Sequence, residues 1–172
     1  MDRMPEANSF EIFHKYSERL ADDWGLASSS DPRLPAIMTS DANTPKKFLA
    51  LFAQSTEKDI LERLASNPNT PEEVLIGLAD HYEQSVREAT ANNNMAPDVV
   101  SESLAKDENL NVRFAVASNP HSSTKALEHL SEDWNPYVVR RARKTINKLK
   151  AVKPAESTAE RVQDTDIAAA GK

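Results

Sequence analysis

The residues of this 172-residue chain that could do chemistry are four histidines, a set of loop acids, three spaced arginines and a run of cations. His14, His81, His121 and His129 share no common interval, so they predict no metal cluster. Cysteine is absent, which removes thiol nucleophiles, thiolate ligands and disulfides together. Neither a glycine-rich phosphate loop nor a serine or threonine in a nucleophile-elbow setting occurs. The expectation is therefore a chain that is not an enzyme, with no catalytic residues, no metal and no cofactor.

Charge is divided sharply along the chain. Residues 1–139 carry 12 Lys and Arg against 23 Asp and Glu, whereas residues 140–153 hold seven cations and no acid. The basic run, with Arg140, Arg141 and Lys144 at its start, reads as a solvated terminal helix or as a contact for phosphates or an acidic partner. The acids Glu57 and Asp59, Asp80 and Glu83, Asp107 and Glu108, and Glu132 and Asp133 recur just before helix starts, where capping and the helix dipole account for them. A ridge for a basic partner is the alternative. No run has the alternating oxygen ligands of a calcium loop.

The elements that must position these groups follow from an internal repeat. Shifting the chain by 26 positions aligns Asp41, Asn67, Asn93 and Asn119, and then Pro45, Pro71 and Pro97. The apolar positions keep the same register: Phe52, Leu78, Leu104 and Leu130, then Ile60, Val86 and Val112, then Ala65, Ala91 and Ala117. Within one copy, Thr70 is placed to cap a helix with Pro71 at its first position and Glu73 closing a capping box. Val74, Leu75, Leu78 and Ala79 form the buried face of that helix, and Val86, Ala89, Thr90 and Ala91 that of a second one. Asn92 and Asn93 end the second helix, a place where asparagine tolerates a left-handed backbone. Two such short helices cannot bury their apolar sides alone and must stack on neighbouring copies.

The string NPNTPEEVLIGLA, followed by SVREATANN and NVRFAVASNP, resembles the leucine-rich repeat variant family over residues 30–145. That resemblance implies an all-α, right-handed solenoid of alternating α and 3₁₀ helices related to HEAT-type arrays, here as about five 26-residue two-helix repeats with helical caps. The unit departs from the family's usual length of about two dozen residues. The iron–sulfur segment of some relatives requires cysteines, so that cofactor is excluded. The resemblance also implies that Arg87, Arg113 and Arg140, each just after a core valine, pair with an acid in the neighbouring unit. Contact with a DNA backbone is the alternative, since some HEAT-like proteins are DNA glycosylases. Trp134 beside Asp133 invites comparison with their aromatic and carboxylate base pocket, but a packing tryptophan is the simpler reading. The net charge of −6 opposes nucleic acid except at the basic helix.

Along the chain, residues 1–8 are expected to be disordered. Residues 9–40 are expected to form a capping helix with Phe10, Phe13, Ser17, Leu20 and Trp24 on one stripe, then a degenerate first repeat. Residues 41–150 carry the repeats and a basic C-terminal cap helix, and 151–172 a disordered tail. The fifth copy is expected to gain one loop residue at Trp134, Asn135 and Pro136, because Val139 and Arg140 match Val112 and Arg113 at a spacing of 27. No apolar run is long enough for a membrane and no signal region is present, which predicts a cytoplasmic protein. The functional expectation is a protein-interaction module or adaptor with a protein partner. The first alternative is a nucleic-acid-associated protein using the basic helix, and a glycosylase-like enzyme comes third. Partner contacts are expected where apolar residues break the repeat, at Phe114, Leu51 and Ile76, with Arg140, Arg141 and Lys144 adding charge.

Overall fold

The computed structural model describes residues 14, 15, 17–19 and 31–166, with side chains as far as 151, and it is all-helical over these residues. Residues 14, 15 and 17–19 are helical and Ser17 is buried, in keeping with the expected stripe, whose other members lie outside the described residues, as do residues 1–8. The helices that follow are α1 (Leu34–Ser40), α2 (Lys46–Leu49) with a 3₁₀ turn (Ala50–Gln54), α3 (Lys58–Ser66), α4 (Glu72–Ala79), α5 (Gln84–Asn92), α6 (Asp98–Leu104), α7 (Leu110–Ser118), α8 (Thr124–Leu130) and α9 (Pro136–Asp166). Helices α1, α3, α5, α7 and α9 pack in sequence, one on the next. The 3₁₀ turn, α4, α6 and α8 do the same in a second row.

The core lies between the rows and repeats with the sequence. Ile60, Val86, Val112 and Val138 are buried at one level, and Leu49, Leu75 and Leu127 at another. Among the described residues the 3₁₀ conformation is confined to Ala50–Gln54, whereas the resemblance implied it in every copy. The other first helices run seven or eight residues, enough for two turns of α-type bonds, and the tighter form survives only as the continuation of the four-residue α2.

The recurring asparagines act differently from their expected role. Asn67, Asn93 and Asn119 have extended backbones, with φ of −74°, −72° and −78°, so no left-handed residue ends these helices. All three are buried, and their side chains cross-link successive copies. Asn67 Nδ2 donates to the Thr39 and Asp41 carbonyls, both at 2.9 Å. Asn93 Nδ2 donates to Ala65 and Asn67 at 2.6 and 3.0 Å, and Asn119 Nδ2 to Ala91 and Asn93 at 3.0 and 3.3 Å. Each Oδ1 accepts the backbone N–H two residues on, at 2.8 to 2.9 Å. One amide thus satisfies three backbone groups, buried or partly buried, that loops would otherwise leave unpaired.

Thr145 takes this place in the last copy, its Oγ1 donating to Ala117 O at 2.7 Å across the same 28 residues. The register therefore continues without the expected inserted residue. Val138, fully buried, is the counterpart of Val112, and Asp133 and Asn135 repeat the turn bonds of Asp107 and Asn109. The adjacent valines permitted two alignments, and burial selects the one at 26. Val139 then stands where the arginines stand, and Arg140 where Phe114 stands.

Helix starts also differ in detail. Pro71 is the N-cap of α4, and Thr70, buried, makes no cap bond: its Oγ1 donates backward to Leu64 O at 2.5 Å. The last carbonyls of α3 need a donor, and a buried hydroxyl next to them supplies it. Ser122 does the same for Val116 at 2.8 Å. Side-chain caps appear instead at Asn109 and Ser123.

At the C-terminal end, α9 continues through Pro154 to Asp166, where a tail was expected from 151; residues 167–172 lie outside the described residues. Extension of an existing helix requires no new nucleus, and Ala, Glu, Arg and Gln all favour it. The stretch after Pro154 nonetheless lacks an apolar stripe. Deleting residues 156–172 is expected to move the thermal midpoint by no more than about 2 °C, since under 1 kcal/mol is at stake in a domain of this size. Differential scanning calorimetry of the shortened chain checks this, and a larger drop would show that the extension is docked.

Candidate partner-binding surface

The arginines come first, because their pairing decides which charges are left over. Arg87 Nε donates to Asp107 Oδ2 at 2.6 Å and Nη2 to Oδ1 at 3.1 Å, while Nη1 donates to the carbonyls of His81 and Tyr82. The hydrogen bond that it donates to Asp107 holds the Arg87 guanidinium above its ordinary pKa, with the carboxylate's charge acting in the same direction. Arg113 repeats the arrangement with Asp133, Nε to Oδ2 at 2.7 Å, and with the carbonyls of Asp107 and Glu108. Each arginine thus ties its own loop to the loop of the next copy. Arg140 does not belong to this series, because Val139 has the arginine's place. Asp133 is held as a structural acceptor, so it is not the free carboxylate that a base pocket would use. Trp134 lies with its ring centroid 5.0 Å from the Arg113 guanidinium and is otherwise exposed.

His81 occupies the position of Asp107 and Asp133 one copy earlier, and its Nδ1 accepts the Glu83 N–H at 3.1 Å, as Ser55 Oγ does for Glu57. Among the described residues, no three His, Asp or Glu side chains converge to hold a metal.

The six residues expected to contact a partner fall on two rows. Leu51 and Ile76, 57% and 45% exposed, lie on the 3₁₀ turn and α4. Phe114, Arg140, Arg141 and Lys144 lie on α7 and α9, in the other row. Phe114 is 41% exposed, with the Arg141 guanidinium 6.0 Å from its ring centroid. Arg141 is half-buried and donates from Nε to Ser118 Oγ at 2.9 Å. Glu62 and Glu88, the register counterparts of Phe114 on α3 and α5, are half-buried, unlike the solvent-facing expectation for that site.

Arg140 and Lys144 line a cleft of about 840 Å³ together with Trp134, Val139, Arg143 and Lys148. None of Arg140, Lys144 and Lys148 makes an ion pair among the described residues. Arg143 donates from Nη2 to Ser131 O at 3.1 Å and takes the register place of Ala65, Ala91 and Ala117. Those alanines are buried against a following copy, and an exposed arginine in their place fits an end where no copy follows. Sequence reasoning missed Trp134, Val139, Arg143 and Lys148 as one surface. The available signal was the 26-residue register itself, which sets Trp134 in line with the exposed Tyr82.

No helix among the described residues is long and apolar enough to cross a membrane. No family model, no curated protein and no solved structure matches this chain.

Proposed function

We propose that this chain is a non-catalytic protein-interaction module, a right-handed solenoid of about five 26-residue repeats of the leucine-rich repeat variant type that works in the cytoplasm. The two rows of helices and the asparagine cross-links support the solenoid. The observation that carries the function is the collection of exposed aromatics, Phe114, Trp134 and Tyr137, at the one end of the chain that is also cationic. Aromatic side chains beside cations make the anchors and the steering charge of many interfaces. The repeat chemistry, meanwhile, is absorbed in joining one copy to the next.

Phe114→Ala is expected to keep the circular dichroism spectrum and to weaken a captured protein partner by about 2 kcal/mol. Affinity capture with the purified wild-type and variant chains, followed by titration, checks this. Normal binding by a variant that unfolds easily would make Phe114 a packing residue. Arg141 is a poor place for charge reversal because it is half-buried against Ser118, whereas Arg140 is exposed.

Nucleic acid is the second reading, favoured by Arg140, Lys144 and Lys148, which make no ion pair among the described residues. Salt-sensitive retention on DNA would support it. Against it stands the acidic charge of residues 1–139, which repels a polyanion beyond the terminal helix.

A further inference from the structure

The cleft at the basic end has a register counterpart two copies earlier, where an acidic loop walls it. Between the loop that joins α4 to α5 and the loop that joins α6 to α7, a groove of about 690 Å³ is lined by His81, Tyr82, Arg87, Asp107 and Glu108. Its far wall is the acidic loop of the next copy, which enters with Asp107 on the Arg87 guanidinium. One copy later, Glu132 and Asp133 occupy the corresponding loop, and Asp133 closes on Arg113. The cleft at the basic end has Trp134 where the earlier groove has Tyr82, and Val139 where it has Arg87. No loop follows, because the chain goes on as helix α9.

We propose that this open groove binds an acidic segment of a partner protein, which takes the place that Asp107–Glu108 and Glu132–Asp133 take in the copies before it. The proposal rests on reading the chain as an interaction module. Its charge pattern fits the ligand: Arg140, Lys144 and Lys148 stand four residues apart on α9, so the cations follow one another at about 6 Å along the helix axis. The single acid in the groove wall, Asp133, is already paired with Arg113 and accepts the Asn135 N–H. The incoming carboxylates therefore meet unopposed positive charge. The exposed indole of Trp134 and the half-buried Val139 form an apolar floor for one aliphatic or aromatic side chain beside the acids.

The same chemistry argues for a short peptide segment over a nucleic acid strand. A carboxylate loop is what walls the equivalent groove within the chain. Glu132, exposed and next in sequence to Asp133 of the cleft wall, adds like charge that a long polyanion would have to pass.

The test uses the full chain and a fluorescein-labelled peptide rich in Asp and Glu with one leucine, titrated by anisotropy. The expected result is saturable binding that falls at least tenfold in Lys144→Glu and in Trp134→Ala, further in Arg140→Glu/Lys144→Glu, and less than twofold in Lys125→Glu, the same charge change as Lys144→Glu made on α8. All four sites are exposed, so the variants should keep the wild-type circular dichroism spectrum. Equal weakening by Lys125→Glu would reduce the effect to net charge and overturn the site. Preferential binding of a single-stranded oligonucleotide through the same residues would replace the peptide with nucleic acid. Concentration-dependent self-association that the peptide competes away would make a second copy the occupant and overturn the proposal of a different partner. Absence of peptide binding, with Phe114-dependent capture of a protein intact, would remove this groove and leave the module reading standing.

Discussion

Replacing Asp133 with alanine is expected to lower stability by about 3–5 kcal/mol, because it strands a buried guanidinium. Arg113 and Asp133 side chains are each only 5% exposed, and the pair is joined at 2.7 Å. A surface ion pair would contribute little, since water would replace the lost partner. Here water cannot reach Arg113, and the two carbonyls that Nη1 contacts do not neutralise its charge. The double variant Arg113→Met/Asp133→Leu is expected to recover a good part of the loss, because neither charge then remains to be solvated. Urea denaturation of the three chains measures the difference. A loss below about 1 kcal/mol for Asp133→Ala would show that the guanidinium finds solvent and that the loops are joined by packing alone.

Asn93→Asp is the second large effect, expected at about 3 kcal/mol or more, as two acceptor-facing donors are replaced by an acceptor that also carries charge. The carbonyls of Ala65 and Asn67, at 2.6 and 3.0 Å from Nδ2, would then face a carboxylate oxygen. Asn93→Leu removes the same bonds without charge and should cost about 2–4 kcal/mol, from the two carbonyls and the Met95 N–H left unpaired. The neighbouring Asn94 is exposed, and Asn94→Asp should change stability by no more than about 0.5 kcal/mol. Similar losses at 93 and 94 in thermal melts would mean that the side-chain amide is not what joins the copies.

The helices were legible in the sequence because burial leaves a one-dimensional trace. Leu78, Leu104 and Leu130 recur at one interval, and all three are buried. The asparagines recur just as regularly, but their sequence setting is satisfied by a helix-terminating backbone as well as by a cross-link. Only the positions of carbonyls 26 and 28 residues earlier distinguish the two. The last copy misled for a related reason: two consecutive valines and a following arginine offer two registers of equal appeal, and burial of Val138 decides between them. Of the candidate surface, Phe114 stood out because it broke a pattern of glutamates. The cleft beside Trp134 left no such mark, since it arises where a loop is not supplied.

The asparagine cross-links set something like a reading frame for how this chain can change length over descent. Each Nδ2 reaches 26 and 28 residues back, and each paired arginine reaches 20 residues forward. A duplication that inserts one complete 26-residue segment brings its own amide, its own arginine and its own acid, so every donor still meets an acceptor. One residue gained between Asn67 and Asn93 would carry the amide away from both carbonyls at once. Interior length is consequently expected to change in whole 26-residue steps, since any other step separates each amide from its carbonyls.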